Sequence, residues 1–452
     1  MPLQLTKIIY KCSPKALHPF YDRIEASDIG SRFVGGVFWV LIGSVLSRLL
    51  FLICFILLAR VLGKESYGEF GIIRTTLLSF LVFSNMGLSL TVTKCYAQYK
   101  GNDNVKLCKI IGLCRLFSFF VGIVAGIVLF LGSSYFANRF YEAPGIISEF
   151  KLIAFILPFI AIAEVNMGLL AGSESFRSQT LVRIVSSVML FLSVYFGDKF
   201  GVSGGVLGLC SYYLFYSMLA YFVVKRKCRI NIIKPIYVKS FDEISVIFNS
   251  SLPIALTTIL INVGMLICIG LLSRNNGSAS VAIFDIANQW KTFVFFIPMN
   301  ISFVLLPMFS SLANKRNGKF YKLYKLNILF NFFITSFVVL IIYFLSPFIV
   351  NLYGAGYEQM LAPLLLFCVV IIFDSLVSVN AKVFISRNRV WLNFWTAFVE
   401  VAILVVLSHY FIMNGNGATG IIIAFLIAVI LRLCIQFILL YKLSIMKEVP
   451  LE

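Results

Sequence analysis

Five basic side chains, Arg48, Arg74, Arg115, Lys291 and Arg432, stand inside long apolar runs together with four acidic ones, Glu164, Asp285, Asp374 and Glu400. A basic group at the centre of a lipid-facing helix costs about 2.5–3.5 kcal/mol even on the lenient insertion scale, so four turned to lipid would cost roughly 10–14 kcal/mol. They must face protein or water. Guanidinium groups make paired hydrogen bonds to phosphate oxygens, so these cations could line a water-filled cavity and hold a phosphate or pyrophosphate. Each could instead pair with a buried carboxylate and hold helices together. Glu164, Asp374 and Glu400 open the same choice: coupling to protons or sodium as their surroundings open and close, or service as counter-ions. Asp285 lies about one turn into its run and is expected at the external interface. Trp290, beside Lys291, is placed to stack on a sugar, whereas Trp39, Trp391 and Trp395 read as membrane-interface anchors.

Small residues accompany the cations at helical spacing. Gly36, Gly43, Ser44, Ser47 and Arg48 form one stripe; Gly71, Arg74, Thr75, Asn85 and Ser89 form a second; Gly112, Arg115, Ser118, Gly122 and Gly126 form a third. Such stripes permit close helix packing or a wide lumen. Two histidines and ten cysteines, none in an external segment, give no metal-site pattern and no external disulfide framework. No cofactor is expected.

The elements that position these residues are membrane helices. With 60% apolar and 13% charged residues, a chain of 452 residues cannot form a soluble globule with an ordinary polar surface. Uncharged windows such as Phe200 to Val224, Ile244 to Ser273 and Leu326 to Tyr357 exceed the roughly 20 residues a helix needs to span the hydrocarbon. Barrel strands are shorter and alternate in polarity. Spans are expected near 36–59, 67–92, 110–133, 150–171, 180–197, 204–224, 248–272, 281–308, 324–345, 361–384, 391–411 and 419–440. Of 38 lysines and arginines, 27 fall in alternate connecting segments and six in the others, so the positive-inside rule puts both termini in the cytoplasm. The net charge of +19 follows from topology and anionic headgroups; nucleic acid is not needed as a partner. Residues 1–32 read as a cytoplasmic tail rather than a signal peptide.

An internal repeat divides the chain. Leu58-Ala-Arg60-Val-Leu-Gly63 with Ser66 and Phe70 matches Leu272-Ser-Arg274-Asn-Asn-Gly277 with Ser280 and Phe284, and Tyr135-Phe-Ala-Asn138 matches Phe348-Ile-Val-Asn351 at nearly the same offset. The expected fold is therefore all-α integral membrane, about twelve helices in two six-helix lobes related by a parallel pseudo-two-fold repeat around a central cavity. The lobes are 33–224 and 248–441, joined by a basic cytoplasmic linker at 225–247 and followed by a cytoplasmic tail at 442–452. Prolines at 158, 253, 298 and 307 fall within spans and are expected to kink them. External connections are short, which argues against a membrane polymerase, ligase or glycosyltransferase. No enzyme activity is expected.

The segment Leu57-Leu-Ala-Arg-Val-Leu-Gly-Lys-Glu-Ser-Tyr-Gly-Glu-Phe70 resembles the polysaccharide-transporter branch of the multidrug/oligosaccharidyl-lipid/polysaccharide (MOP) exporter superfamily, and within it the Wzx-type O-antigen flippases. Gly168-Leu-Leu-Ala-Gly172, Ser251-Leu-Pro253 and Leu352-Tyr-Gly-Ala-Gly-Tyr357 are similar to that family at matching positions. The resemblance implies passage of an undecaprenyl-pyrophosphate-linked oligosaccharide between leaflets of a bacterial inner membrane. It also implies partnership with membrane lipids, a polysaccharide polymerase and a chain-length regulator. Flipping makes and breaks no covalent bond. Without a nucleotide-binding motif, energy would come from an H+ or Na+ gradient or from removal of product outside. A lipid II flippase, a drug exporter of the same superfamily and a non-transporting scaffold are the competing readings.

Overall fold

Long apolar stretches with few breakers fold as helices because, in hydrocarbon, every backbone N–H and C=O must be satisfied within the segment. The computed structural model describes residues 28–85, 87–99, 104–228, 242–312, 319–354, 356–387 and 389–442, and no strand occurs among them. The helices are α1 (Asp28–Asn85), α2 (Leu88–Tyr99), α3 (Asn104–Tyr135), α4 (Ile147–Gly172), α5 (Phe176–Met189), α6 (Phe191–Cys228), α7 (Asp242–Leu312), α8 (Lys319–Tyr353), α9 (Leu361–Ser386), α10 (Val390–Met413) and α11 (Gly417–Lys442). The residues before 28, residues 229–241 of the basic linker and the residues after 442 lie outside the described residues, as do the side chains of Trp39, Pro298 and Pro307.

Nine of the stretches among the described residues are long and apolar enough to cross a membrane, and three are bent at a left-handed glycine. The bends fall at Gly63, Gly201 and Gly277, each at a junction between two expected spans. Gly63 (φ 73°, ψ 174°) and Gly277 (φ 76°, ψ 170°), which the sequence repeat pairs, share one backbone conformation that a side chain forbids. The expected second span, 67–92, is interrupted: α1 ends at Asn85, and the chain turns through Gly87 at φ 76° into α2. The expected fifth span, 180–197, is likewise divided at Leu190 between α5 and α6.

Helices before residue 228 pack chiefly on one another, as do those after 242, and α1 against α7 is the principal contact between these halves. Their closest approach needs the smallest residue: a Cβ on Gly68 would stand 1.8 Å from the Ser278 carbonyl oxygen. Around that crossing each half grips a loop of the other. Arg60 donates to the carbonyls of Leu352 (2.6 Å) and Asn351 (3.2 Å), and Arg274 pairs with Glu142 at 2.9 Å. Ser273 donates to the Tyr141 carbonyl at 2.7 Å, and Tyr357 donates to the Ala59 carbonyl at 3.1 Å. Arg60 with Ala59 and Arg274 with Ser273 are the repeat-matched positions, so the two clasps are counterparts. Lys64 adds a bond to Gln359 at 2.9 Å.

Candidate functional site

Arg48 stands twelve residues before Arg60 on α1, about 18 Å further along the helix from the clasps. Here the two halves part around a cavity of ≈ 460 Å³. The first arm of α1 contributes Ser44, Ser47 and Arg48; the second contributes Arg74. Glu164 comes from α4, Arg183 and Ser187 from α5, and Tyr212, Tyr213 and Tyr216 from α6. The later half supplies only uncharged groups, among them Asn288, Gln289 and Thr292 of α7.

The three guanidinium groups differ in their surroundings. Arg74 pairs at 2.6 Å with Asp285, which is 2% exposed, and lies over the Phe55 ring at 4.6 Å. Gln289 completes this inter-half cluster by donating to Asp285 Oδ2 (2.8 Å) and to the Tyr67 hydroxyl (2.7 Å). Asp285 is therefore buried at the seam rather than at the external interface: Gly71, opposite it, leaves room for the carboxylate. Arg48 donates to the Thr292 carbonyl at 3.0 Å and lies 4.7 Å from the Phe296 ring centre. Neither Arg48 nor Arg183 has a carboxylate partner among the described residues. The carboxylate on the same wall, Glu164, accepts instead from the Tyr216 hydroxyl at 3.1 Å. The wall thus offers guanidinium edges and hydroxyls with a single carboxylate among three arginines, a positive excess that suits an anion with several oxygens.

The expected lining of five cations divides. Arg48 and Arg74 line the cavity; Arg115, Lys291 and Arg432 do not. Arg115 donates to Asn166 on α4. Lys291 pairs with Asp374 at 3.3 Å and lies 3.9 Å from the Phe425 ring centre. Arg432 is 5% exposed, pairs with Glu400 and donates to Asn393 at 3.2 Å. Glu400 and Asp374 are thus counter-ions inside the later half. Trp290 does not reach the cavity; it is 9% exposed and donates to the Tyr353 hydroxyl at 3.0 Å, so the sugar-stacking assignment gives way to a packing role between α7 and α8.

The small-residue stripes divide too. On α3, a Cβ on Gly122 would stand 2.8 Å from Pro158 Cα and one on Gly126 2.6 Å from the Ala154 carbonyl, so that stripe packs helices. On α1, Gly43 packs against Thr180 while Ser44, Ser47 and Arg48 open to the cavity. Sequence reasoning missed Arg183, which falls at the start of the expected span 180–197 yet is counted with the connecting-segment charges, and the tyrosines of α6. A signal existed: Tyr212, Tyr213 and Tyr216 share one helical face of an uncharged window.

A family model described as "Polysaccharide biosynthesis protein" matches residues 33–313. None of the curated proteins matches the chain. Among solved structures, the inward-facing conformation of a multidrug resistance MATE family transporter of the MOP superfamily is similar at a TM-score of 0.76 and 15% identity, over 89% of this chain and 96% of that one. An outward-facing conformation of a multidrug resistance MATE family transporter of the MOP superfamily gives 0.67 and 16%, over 93% and 97%. A MOP superfamily transporter from Pyrococcus furiosus, described as having a binding pocket of reverse polarity, gives 0.67 and 16%, over 92% and 96%. These likenesses give the fold, and the family model spans most of the chain, so this protein belongs to the polysaccharide biosynthesis protein family and has the helical fold of MOP-superfamily transporters.

Proposed function

We propose that the chain is a flippase that carries a lipid-linked oligosaccharide with an anionic, pyrophosphate-type headgroup across the bacterial inner membrane by alternating access. One observation carries this reading: Arg48 and Arg183, free of carboxylate partners among the described residues, share a cavity at the seam between the halves. Two phosphate groups fit paired guanidinium donors, and the sugar fits a wall of tyrosine, serine and amide side chains. An undecaprenyl tail would stay in the bilayer.

In this reading the nine long stretches and three glycine bends make twelve spans, six in each of the lobes 33–224 and 248–441, with both termini in the cytoplasm. The clasps at Arg60 and Arg274 then close the external side, and the cavity takes its ligand from the cytoplasmic side. A headgroup that competes for Arg74 loosens Asp285 and with it the seam, so ligand and transition share one contact. Tight binding by itself moves nothing; the headgroup must favour one arrangement over the other. Asp374 and Glu400 are the groups through which an H+ or Na+ gradient would act. A polymerase and a chain-length regulator are the partners expected to consume the product.

The test is the leaflet distribution of lipid-linked oligosaccharide in spheroplasts lacking this protein, read with an impermeant glycan-directed probe. Confinement to the inner leaflet, relieved by wild type but not by Arg48→Ala or Arg183→Ala at equal protein levels, supports the reading. Normal arrival of single repeat units outside overturns it.

A further inference from the structure

Helix α8 is polar on its buried face. Tyr324, Asn327, Asn331 and Thr335 fall on one face and are 7%, 2%, 0% and 0% exposed, while Leu326, Phe330, Phe333 and Phe337 face outward at 50–65%. In a soluble protein the polar face would meet water; in lipid it turns inward, and its hydrogen bonds must be found there.

They are not found in the protein. Among the described residues, Asn327 Nδ2, Asn331 Oδ1, Thr335 Oγ1 and Asn380 Nδ2, together with both amide atoms of Gln436 and the Nε of Arg432, are buried without a protein partner. Helix α9, which packs on both α8 and α11, links these groups. Tyr324 donates to Asn380 at 2.8 Å, which fixes α8 against α9, and Asn331 donates to the Asn327 carbonyl at 3.0 Å. Leu440 of α11 joins the apolar cluster of Tyr324, Val379 and Val383, so Gln436 lies one turn further in and Arg432 two. The stripe from Tyr324 to Thr335 covers about 16 Å, roughly half the apolar thickness of a bilayer.

We infer that the later half holds an internal file of water molecules along Asn327, Asn331, Thr335, Asn380 and Gln436, reaching from the Tyr324 end of the bundle to the Arg432–Glu400 pair. The mixture of unmet donors and acceptors selects the ligand. Water gives and takes two hydrogen bonds, whereas a metal cation could be held only by the Asn331 and Gln436 carbonyl oxygens and the Thr335 hydroxyl and would meet the amide N–H groups and Arg432 with repulsion. At the inner end the file puts Glu400, faced by Arg432 from α11, Asp374 from α9 and Lys291 from α7, in contact with exchangeable protons. The inference rests on the chain spanning a membrane and not on which substrate the cavity takes.

X-ray radiolytic footprinting of the full chain in lipid nanodiscs, with ¹⁸O-water and peptide-resolved mass spectrometry, tests it without any transport assay. Hydroxyl radicals arise where water is ordered, so Tyr324 should take up ¹⁸O about tenfold faster than Tyr141, which is 0% exposed. An Asn331→Cys thiol should likewise react about tenfold faster than the buried Cys268. Equal rates in either comparison overturn the file. Thermal unfolding gives a second reading. Leucine in place of a dry, unmet amide should raise the Tm, so an increase of about 2 °C or more in Asn331→Leu and Gln436→Leu also overturns it, whereas an unchanged or lowered Tm supports it.

Discussion

Arg48 and Arg183 illustrate why a charge inside a membrane protein is defined by its neighbours rather than its type. Both face the cavity with hydroxyls and rings around them, so truncation to alanine removes an anion contact and leaves no buried charge behind. A charge-assisted hydrogen bond contributes about 1.5–3 kcal/mol, which predicts headgroup binding about 10–150-fold weaker in either alanine variant, with protein level unchanged. Titration of purified protein with a soluble pyrophosphate-linked sugar measures it. Arg432 is the opposite case. Its removal strands Glu400, 5% exposed, without a partner, and one-sided loss of a buried pair costs about 3–5 kcal/mol. Arg432→Ala should therefore lower abundance and Tm, while the double replacement Arg432→Met with Glu400→Leu recovers most of both.

At the scale of elements, the hairpins at Gly63 and Gly277 are the devices that bring the halves together. Both hold a backbone conformation essentially closed to side chains, so Gly63→Ala or Gly277→Ala should cost about 1–3 kcal/mol, read as a lowered Tm. The charged contacts of the clasps, at Arg60, Lys64 and Arg274, are exposed, hence weak one by one and easily exchanged. Lys64→Cys with Gln359→Cys, joined by a reducible bis-thiol reagent long enough to replace the two native side chains that meet at 2.9 Å, should stop translocation until reduced. Charge exchange offers a complementary check on the other clasp. Arg274→Glu alone should favour opening, and adding Glu142→Arg should restore the closed arrangement, followed by the accessibility of a cavity cysteine such as Ser44→Cys.

The whole molecule is asymmetric in a way its repeat conceals. The earlier half supplies every charged group of the cavity, whereas the later half keeps its charges for itself in the Lys291–Asp374 and Arg432–Glu400 pairs. One half thus lines the cavity with its charges, and the other holds a closed charge network beside a polar, buried stripe. Sequence by itself determined the membrane helices and the list of embedded charges, because hydropathy and insertion cost act locally along the chain. It also placed Gly63 and Gly277 in register, since a turn demanding left-handed backbone leaves glycine in the sequence. What it left open was which charge meets which. Arg74 finds Asp285 across 211 positions, and Arg183 reaches the wall that holds Arg48. Only the tertiary structure decided those matters, because an arginine at a given depth can be satisfied by a carboxylate or by water, and the sequence pattern of the two is the same.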